Sequence, residues 1–304
     1  MRVAAFDCGT NSIRLLIADI EGNSFREVFR GMEIVRLGQG VDKTGEFHPD
    51  AIARTFAGVD LFVNELRRRG VEKIRFCATS ASRDAKNRDV FLNGVHERLG
   101  VYPEVISGEE EAALSFQGAT RQLSSSQAPF LVVDIGGGST EFVFGGDKVE
   151  AAKSVNIGCV RMSERHFHTD PPARAEIELA IADIKEAIKT AASIVPITQS
   201  KTLIAVAGTA TTVAAAALGL DKYDPDAIHL SRISAEKVHE ISKMFLSMTH
   251  AERKALPYMH EGRVDVITAG ALVLLQIMYA TGAKEFVASE SDILDGMAWS
   301  LAQS

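Results

Sequence analysis

The 304-residue sequence predicts an α/β protein assembled from two related halves. Three observations carry this. Short apolar runs of β type alternate with longer helical patterns along the chain. A segment beginning at Val3 recurs at Phe130, 127 residues on. Each copy then breaks at a glycine-bearing turn flanked by an aspartate. The length admits two domains, and 46% hydrophobic with 24% charged residues is globular composition.

The elements follow in order. β-type runs fall at 3–6, 13–17, 73–78, 103–106, 130–133, 141–144, 201–207 and 284–288. The clearest helix spans about 50–69, where Ile52, Phe56, Val59, Val63 and Leu66 make one stripe. Asp50 is its expected cap and Gly70 its stop, and the basic 67–69 run suits a solvated helix end. A second helix, about 173–195, follows Pro171-Pro172. Polar 121–127 reads as a linker, placing the halves at 1–122 and 129–291. A C-terminal helix is expected at about 292–304.

Composition excludes several function classes. A net charge of −7 argues against a nucleic-acid coat, although local arginines can still hold an anion. Cys8, Cys77 and Cys159 are unclustered, which fits a cytoplasmic protein without a disulfide scaffold or zinc finger. No apolar run approaches the ~18 residues of a membrane span. Asp7 interrupts the first run, which does not read as a signal peptide.

The duplication lays 3–15 on 130–142. Each copy is an apolar run, an aspartate, a small turn with hydroxyl residues and a second run too short for a helical crossover, hence a hairpin. Glycines let successive N–H groups converge on an anion, and Gly136, Gly137 and Gly138 carry an entropy cost a plain turn does not need. Asn11, Ser12, Ser139 and Thr140 add side-chain donors, so the two turns are expected to grip phosphate. Asp134 and Glu141 would repel phosphate directly and are better suited to Mg²⁺ (or Mn²⁺). A third turn, with Gly208 and Thr209, joins a strand to a helix and offers an anion site at the helix start.

Other features are read as structural. His166 and His168 have no third metal ligand nearby in sequence, Cys8 has no adjacent base, and Trp299 is a packing anchor.

The set 7–12, 134–141 and 208–212 resembles the phosphate and glycine motifs of the actin-like ATPase superfamily. More narrowly, the chain resembles the Ppx/GppA phosphatases, with further signatures at 35–40, 78–87, 106–112 and 263–270. One departure is Leu294-Asp295-Gly296, where the family often has Arg-Glu-Gly, so no role passes to Leu294. The resemblance implies two ribonuclease-H-like (actin-like) lobes with an interdomain active-site cleft, the C-terminal helix packing on the first lobe. It also implies release of terminal phosphate from inorganic polyphosphate, or of the 5′-phosphate of guanosine pentaphosphate, by water.

Ser107 with Glu110 reads as a capping box, and the sequence alone leaves Glu109, Glu110 and Glu111 open as the water-activating residue. The resemblance assigns that role to Glu111 and an active-site role to Arg83, whose fork can hold phosphate oxygens. Arg14 stands in the first copy where Glu141 stands in the second, one a phosphate-binding cation and the other a metal-binding anion. The leading expectation is a Mg²⁺-dependent exopolyphosphatase preferring short chains. A guanosine pentaphosphate phosphatase, an actin-like kinase and a non-catalytic polyphosphate or alarmone regulator are the alternatives. Neither nucleic acid nor membrane is an expected partner, and a homodimer is admitted.

Overall fold

Residues 1–303 are described by the structure, a computed structural model. β1 (Arg2–Cys8), β2 (Ser12–Glu21), β3 (Ser24–Ile34), β4 (Lys73–Ala78) and β5 (Glu104–Val105) form one sheet in the order β3-β2-β1-β4-β5. β6 (Phe130–Ile135), β7 (Thr140–Gly145), β8 (Val149–Val155), β9 (Thr202–Val206), β10 (Arg232–Ser234) and β11 (Glu285–Ala288) form the second, in the order β10-β11-β9-β6-β7-β8. The chain divides into two units, Met1–Gly118 with the segment from Ile293, and Ala119–Asp292.

The duplication is reproduced residue by residue. Asp7 pairs with Arg14 and Cys8 with Ile13 across the first hairpin; Asp134 pairs with Glu141 and Ile135 with Thr140 across the second. Each central strand then pairs in parallel with the strand after the crossover, β1 with β4 and β6 with β9. The register shift between Ile17 and Ala18 recurs between Phe144 and Gly145. A bulge recurring at the same offset in both hairpins is a built-in bend, since an extra residue re-aims the strand beyond it.

Helices cover both faces of the first sheet, which is why its central strands read as continuous apolar runs. Ala4, Phe6, Leu15 and Phe76 pack with Val59, Phe62 and Phe91 on one face. Val3, Ala5 and Leu16 pack with Leu294, Met297 and Trp299 on the other. The helix carrying these last three, Ile293–Gln303, approaches closely enough that a Cβ on Gly296 would overlap the Leu114 carbonyl. Leu294, at the position where an arginine was looked for, is core. Trp299 packs on Phe25 at 5.4 Å between ring centroids, an anchor as expected. Ser304, included in the expected C-terminal helix, lies outside the described residues.

Local expectations are met with small shifts. The long helix runs Pro49–Arg69, and its cap is His48, not Asp50: His48 Nδ1 accepts from the Asp50 N–H. Pro49 displaces the cap because its fixed φ and missing N–H suit the first helical position. Gly70 ends the helix at φ 63°. The next long expected helix runs Arg174–Ala192. Within 121–127, Ser125–Gln127 forms a short 3₁₀ turn capped by Ser124. β3, β8 and β10 were not anticipated; they are edge strands, largely half-buried or exposed, with charges along them. In the second unit, helix Ile267–Thr281 is buried from Ile267 to Met278 and forms the centre of the core. Among the described residues no helix is long and apolar enough to cross a membrane.

Candidate active site

Both hairpin turns are closed by the same bond, Gly9 N–H to Ser12 carbonyl at 2.9 Å and Gly136 N–H to Ser139 carbonyl at 3.0 Å. Both are also held from behind. In the first unit, Val35 N–H and Arg36 N–H donate to the Asn11 carbonyl (3.1 and 2.8 Å), and Gly38 N–H donates to the Thr10 carbonyl (2.9 Å). In the second, Cys159 N–H donates to Gly136 (2.9 Å), and Val160 and Arg161 N–H to Gly137 (2.9 and 3.1 Å). Across a trans peptide the carbonyl and the following N–H point in opposite directions. Carbonyls drawn back therefore turn the N–H groups of Asn11 and Ser12, and of Gly137 and Gly138, toward the other side, as an anion nest requires.

The backing is tight. A Cβ on Gly158 would overlap the backbone of Gly137 and Gly138. Gly158→Ala is expected to destabilise the protein by about 1–3 kcal/mol through forced backbone displacement. It should also weaken phosphate binding at this turn; thermal melting and the KM for substrate check both, and unchanged values would show that the turn tolerates the displacement.

Asp134 and Glu141 share one sheet face because they are directly opposed across β6 and β7. Both are buried, and Glu141 Oε1 accepts hydroxyls from Ser139 and from Ser154 on β8, each at 2.7 Å. The Ser139 hydroxyl therefore orients Glu141 and is not the phosphate donor expected of it. Thr140 is corrected too. It lies on the opposite, core-facing side with Phe142 and Phe144, fully buried, its hydroxyl donating to the Ile157 carbonyl at 3.0 Å. Among the described residues no group of three or more His, Cys, Asp or Glu could hold a metal. Two carboxylates nonetheless fit Mg²⁺, which keeps several waters and completes its shell with phosphate oxygens.

Across the first hairpin the pair is Asp7 and Arg14, joined through Asp7 Oδ2 by Arg14 Nε at 3.0 Å and Nη2 at 2.6 Å. Arg14 thus lies beside its turn, as expected, with its fork engaged by a carboxylate.

The structure separates the three glutamates. Glu110 N–H is capped by Ser107 Oγ at 3.1 Å, and its carboxylate accepts from Arg75 Nη2 at 2.6 Å. Glu109 and Glu110 are exposed, whereas Glu111 is 8% exposed and pairs with Arg83 Nη1 at 2.8 Å. Arg83 also donates to the Ile106 carbonyl at 3.0 Å. It stands on the short helix Ser80–Asp84 after β4, and Glu111 in the first turn of Gly108–Thr120 after β5. Neighbouring parallel strands thus deliver the two side chains to one sheet edge.

The third turn differs from expectation. Ala207 has φ 63° and starts the helix Ala207–Leu218. The Arg263 guanidinium lies against Gly208, where any Cβ would overlap it, and Thr209 is buried against Gly270. The Thr209 hydroxyl is therefore packed away, and the cation at this turn is Arg263, which sequence reasoning placed in a signature but gave no role. Beside it, the Tyr223 hydroxyl lies 2.7 Å from Thr211 Oγ1 and 2.6 Å from Glu290 Oε1. Burial, with the Glu290 carboxylate, pushes the Tyr223 phenol above its ordinary pKa, so it stays a donor.

His166 Nε2 lies 2.9 Å from Asp183, which also takes Arg165 at 2.7 Å. Burial, with the neighbouring Asp7 carboxylate, pushes the Cys8 thiol well above its ordinary pKa, which favours the neutral thiol.

The comparisons agree over the full length. The Ppx/GppA phosphatase family model matches residues 16–304. "Exopolyphosphatase 2" of Mycobacterium tuberculosis is 46% identical over 99% of this chain and 98% of that protein. A crystal structure of an exopolyphosphatase-like protein superposes with TM-score 0.96 at 42% identity, covering 100% of this chain and 99% of that one. The Aquifex aeolicus PPX-GPPA enzyme superposes at 0.82 with 30% identity and 99% coverage of both chains. The expected α/β fold of two ribonuclease-H-like, actin-like lobes is the one these structures share, and the chain belongs to the Ppx/GppA phosphatase family.

Proposed function

We propose that the chain is an exopolyphosphatase that releases the terminal phosphate of inorganic polyphosphate by attack of water. The observation that carries this reading is the buried Glu111 paired with the half-buried Arg83, a base beside a phosphate-binding fork. A full-length relative bearing the name exopolyphosphatase supports the substrate class.

Phosphoanhydride hydrolysis needs neutralised charge, a positioned water and fixed geometry. Glu111 accepts the proton of the attacking water. Arg83 offers its planar fork to the oxygens of the transferring group. Within the first unit the Asn11 and Ser12 N–H groups are suited to take further phosphate oxygens, with Arg14 as the cation beside them; within the second, the Gly137 and Gly138 N–H groups are suited to the same, with Arg263 as the cation at the third turn. Asp134 and Glu141 would hold Mg²⁺, with Ser139 and Ser154 fixing Glu141. When bound, Mg²⁺ supplies Lewis-acid neutralisation of phosphate oxygens.

The deciding experiment is phosphate release from polyphosphate, guanosine pentaphosphate and ATP, side by side, with and without Mg²⁺. Polyphosphate is expected to be the best substrate. Faster release from guanosine pentaphosphate would favour the second reading, which a 27% identical Aliivibrio fischeri relative named guanosine-5′-triphosphate,3′-diphosphate pyrophosphatase supports; this chain spans 59% of that protein. Release from neither would sink both.

Asp134→Ala and Glu141→Ala are each expected to raise the Mg²⁺ concentration for half activity by about tenfold or more, through loss of an anionic ligand. Unchanged Mg²⁺ dependence in both would remove these residues from the metal's shell. Long polyanions need many cation contacts along a groove. With a net charge of −7 and its candidate cations confined to the motifs, the chain is expected to prefer short polyphosphate. A size-defined long chain should then give a ladder of intermediates; full-length substrate beside free phosphate, with no ladder, would contradict this.

A further inference from the structure

The two phosphate turns are backed by different chemistry. In the first unit the last carbonyl of the turn, that of Asn11, is held by two main-chain N–H groups, from Val35 and Arg36. The corresponding carbonyl of the second turn belongs to Gly138, and a side chain holds it: Arg161 Nε donates to it at 2.7 Å. This bond is buried, and Arg161 itself is 9% exposed. Arg161 sits in the first turn of helix Cys159–His166, whose first three N–H groups hold the two preceding carbonyls of the same turn.

The peptide at stake joins Gly138 to Ser139. While its carbonyl is drawn back, the Ser139 N–H faces the other way, alongside the N–H groups of Gly137 and Gly138. Glycine at 138 leaves ψ nearly unrestrained on one side of that peptide. Without its backing donor, the peptide could turn over and present a carbonyl oxygen to the phosphate in place of an N–H. One side chain thus decides whether the end of the turn attracts or repels an anion. We propose that Arg161 is a positioning residue for phosphate binding, acting through the orientation of the Gly138–Ser139 peptide. The inference rests on the reading of this turn as a phosphate cradle.

An isosteric pair tests it. In Arg161→Gln the amide nitrogen occupies the place of Nε, so the donor is kept while the charge is lost. In Arg161→Met a methyl group stands there, so donor and charge are both lost. Tripolyphosphate affinity, measured by calorimetry without divalent metal so that turnover is suppressed, is the readout, with melting temperature recorded beside it. Arg161→Met is expected to weaken binding about tenfold, the loss for a buried carbonyl deprived of its donor, and Arg161→Gln less than about threefold. Equal affinities in the two variants, whether parental or equally impaired, overturn the proposal. So does a parent that binds no tripolyphosphate. A parent that binds tripolyphosphate but, given metal, hydrolyses no polyphosphate sinks the exopolyphosphatase reading and leaves the Gln–Met contrast to judge Arg161. If the Met variant is insoluble, Arg161→Lys replaces it, keeping the charge with carbon at the Nε position. Its affinity is expected to fall about tenfold, for the same lost hydrogen bond, and parental affinity there overturns the proposal.

Discussion

Glu111→Gln is expected to lower the turnover of polyphosphate by about 10²–10⁴-fold, the usual worth of a positioned general base. The change keeps the shape of the side chain, and the amide oxygen can still accept from Arg83 Nη1, which lies 2.8 Å away. Folding is therefore preserved, and the loss falls on kcat. Substrate affinity should hold or tighten, because a negative charge beside the phosphate is removed. Steady-state kcat and KM with a melting curve check all three points. Glu110→Gln is the control: Glu110 is exposed and its pairing with Arg75 is a surface contact, worth about 0–1 kcal/mol. Retained activity in Glu111→Gln with loss in Glu110→Gln would move the catalytic role by one residue.

Arg83→Met should lower kcat/KM by about 10²–10³-fold, comparable with removing one preorganised donor aimed at developing charge. Two effects add. The transferring phosphoryl group loses its fork, and Glu111, 8% exposed, loses the cation that holds it. The Ile106 carbonyl also loses its 3.0 Å donor at the start of the helix carrying Glu111, so the glutamate is less well placed. Because the two side chains act as a unit, Arg83→Met in a Glu111→Gln background should cost little further rate. Losses that multiply in the double variant would show that the two act independently.

The duplication, and with it the hairpin pairing, was legible because side-chain alternation and turn position are local properties. Laying Val3 on Phe130 put Asp7 and Arg14 where Asp134 and Glu141 stand in the second copy, and each pair is directly opposed across its hairpin. Thr140 could have been read correctly from the same alternation: it has the parity of Phe142 and Phe144, the core face, whereas Glu141 has the parity of Val143. Ser154 was legible only once β8 was known to be a strand, and its mixed, half-buried sequence hid that. Arg263 on Gly208, and Arg161 behind Gly138, join residues 55 and 23 positions apart, and no local pattern specifies such contacts.

What the sequence determined by itself is therefore the α/β class and the repeated hairpin with its glycine-bearing turns. These depend on interactions within a few residues, on periodicity and on glycine content. Which of three adjacent glutamates is buried against an arginine, which hydroxyls orient a carboxylate instead of a phosphate, and what stands behind each turn were decided by tertiary structure alone. The reason is physical. A side chain's role depends on which partner lies within hydrogen-bonding distance, and those partners come from strands and helices that only the folded sheet brings together.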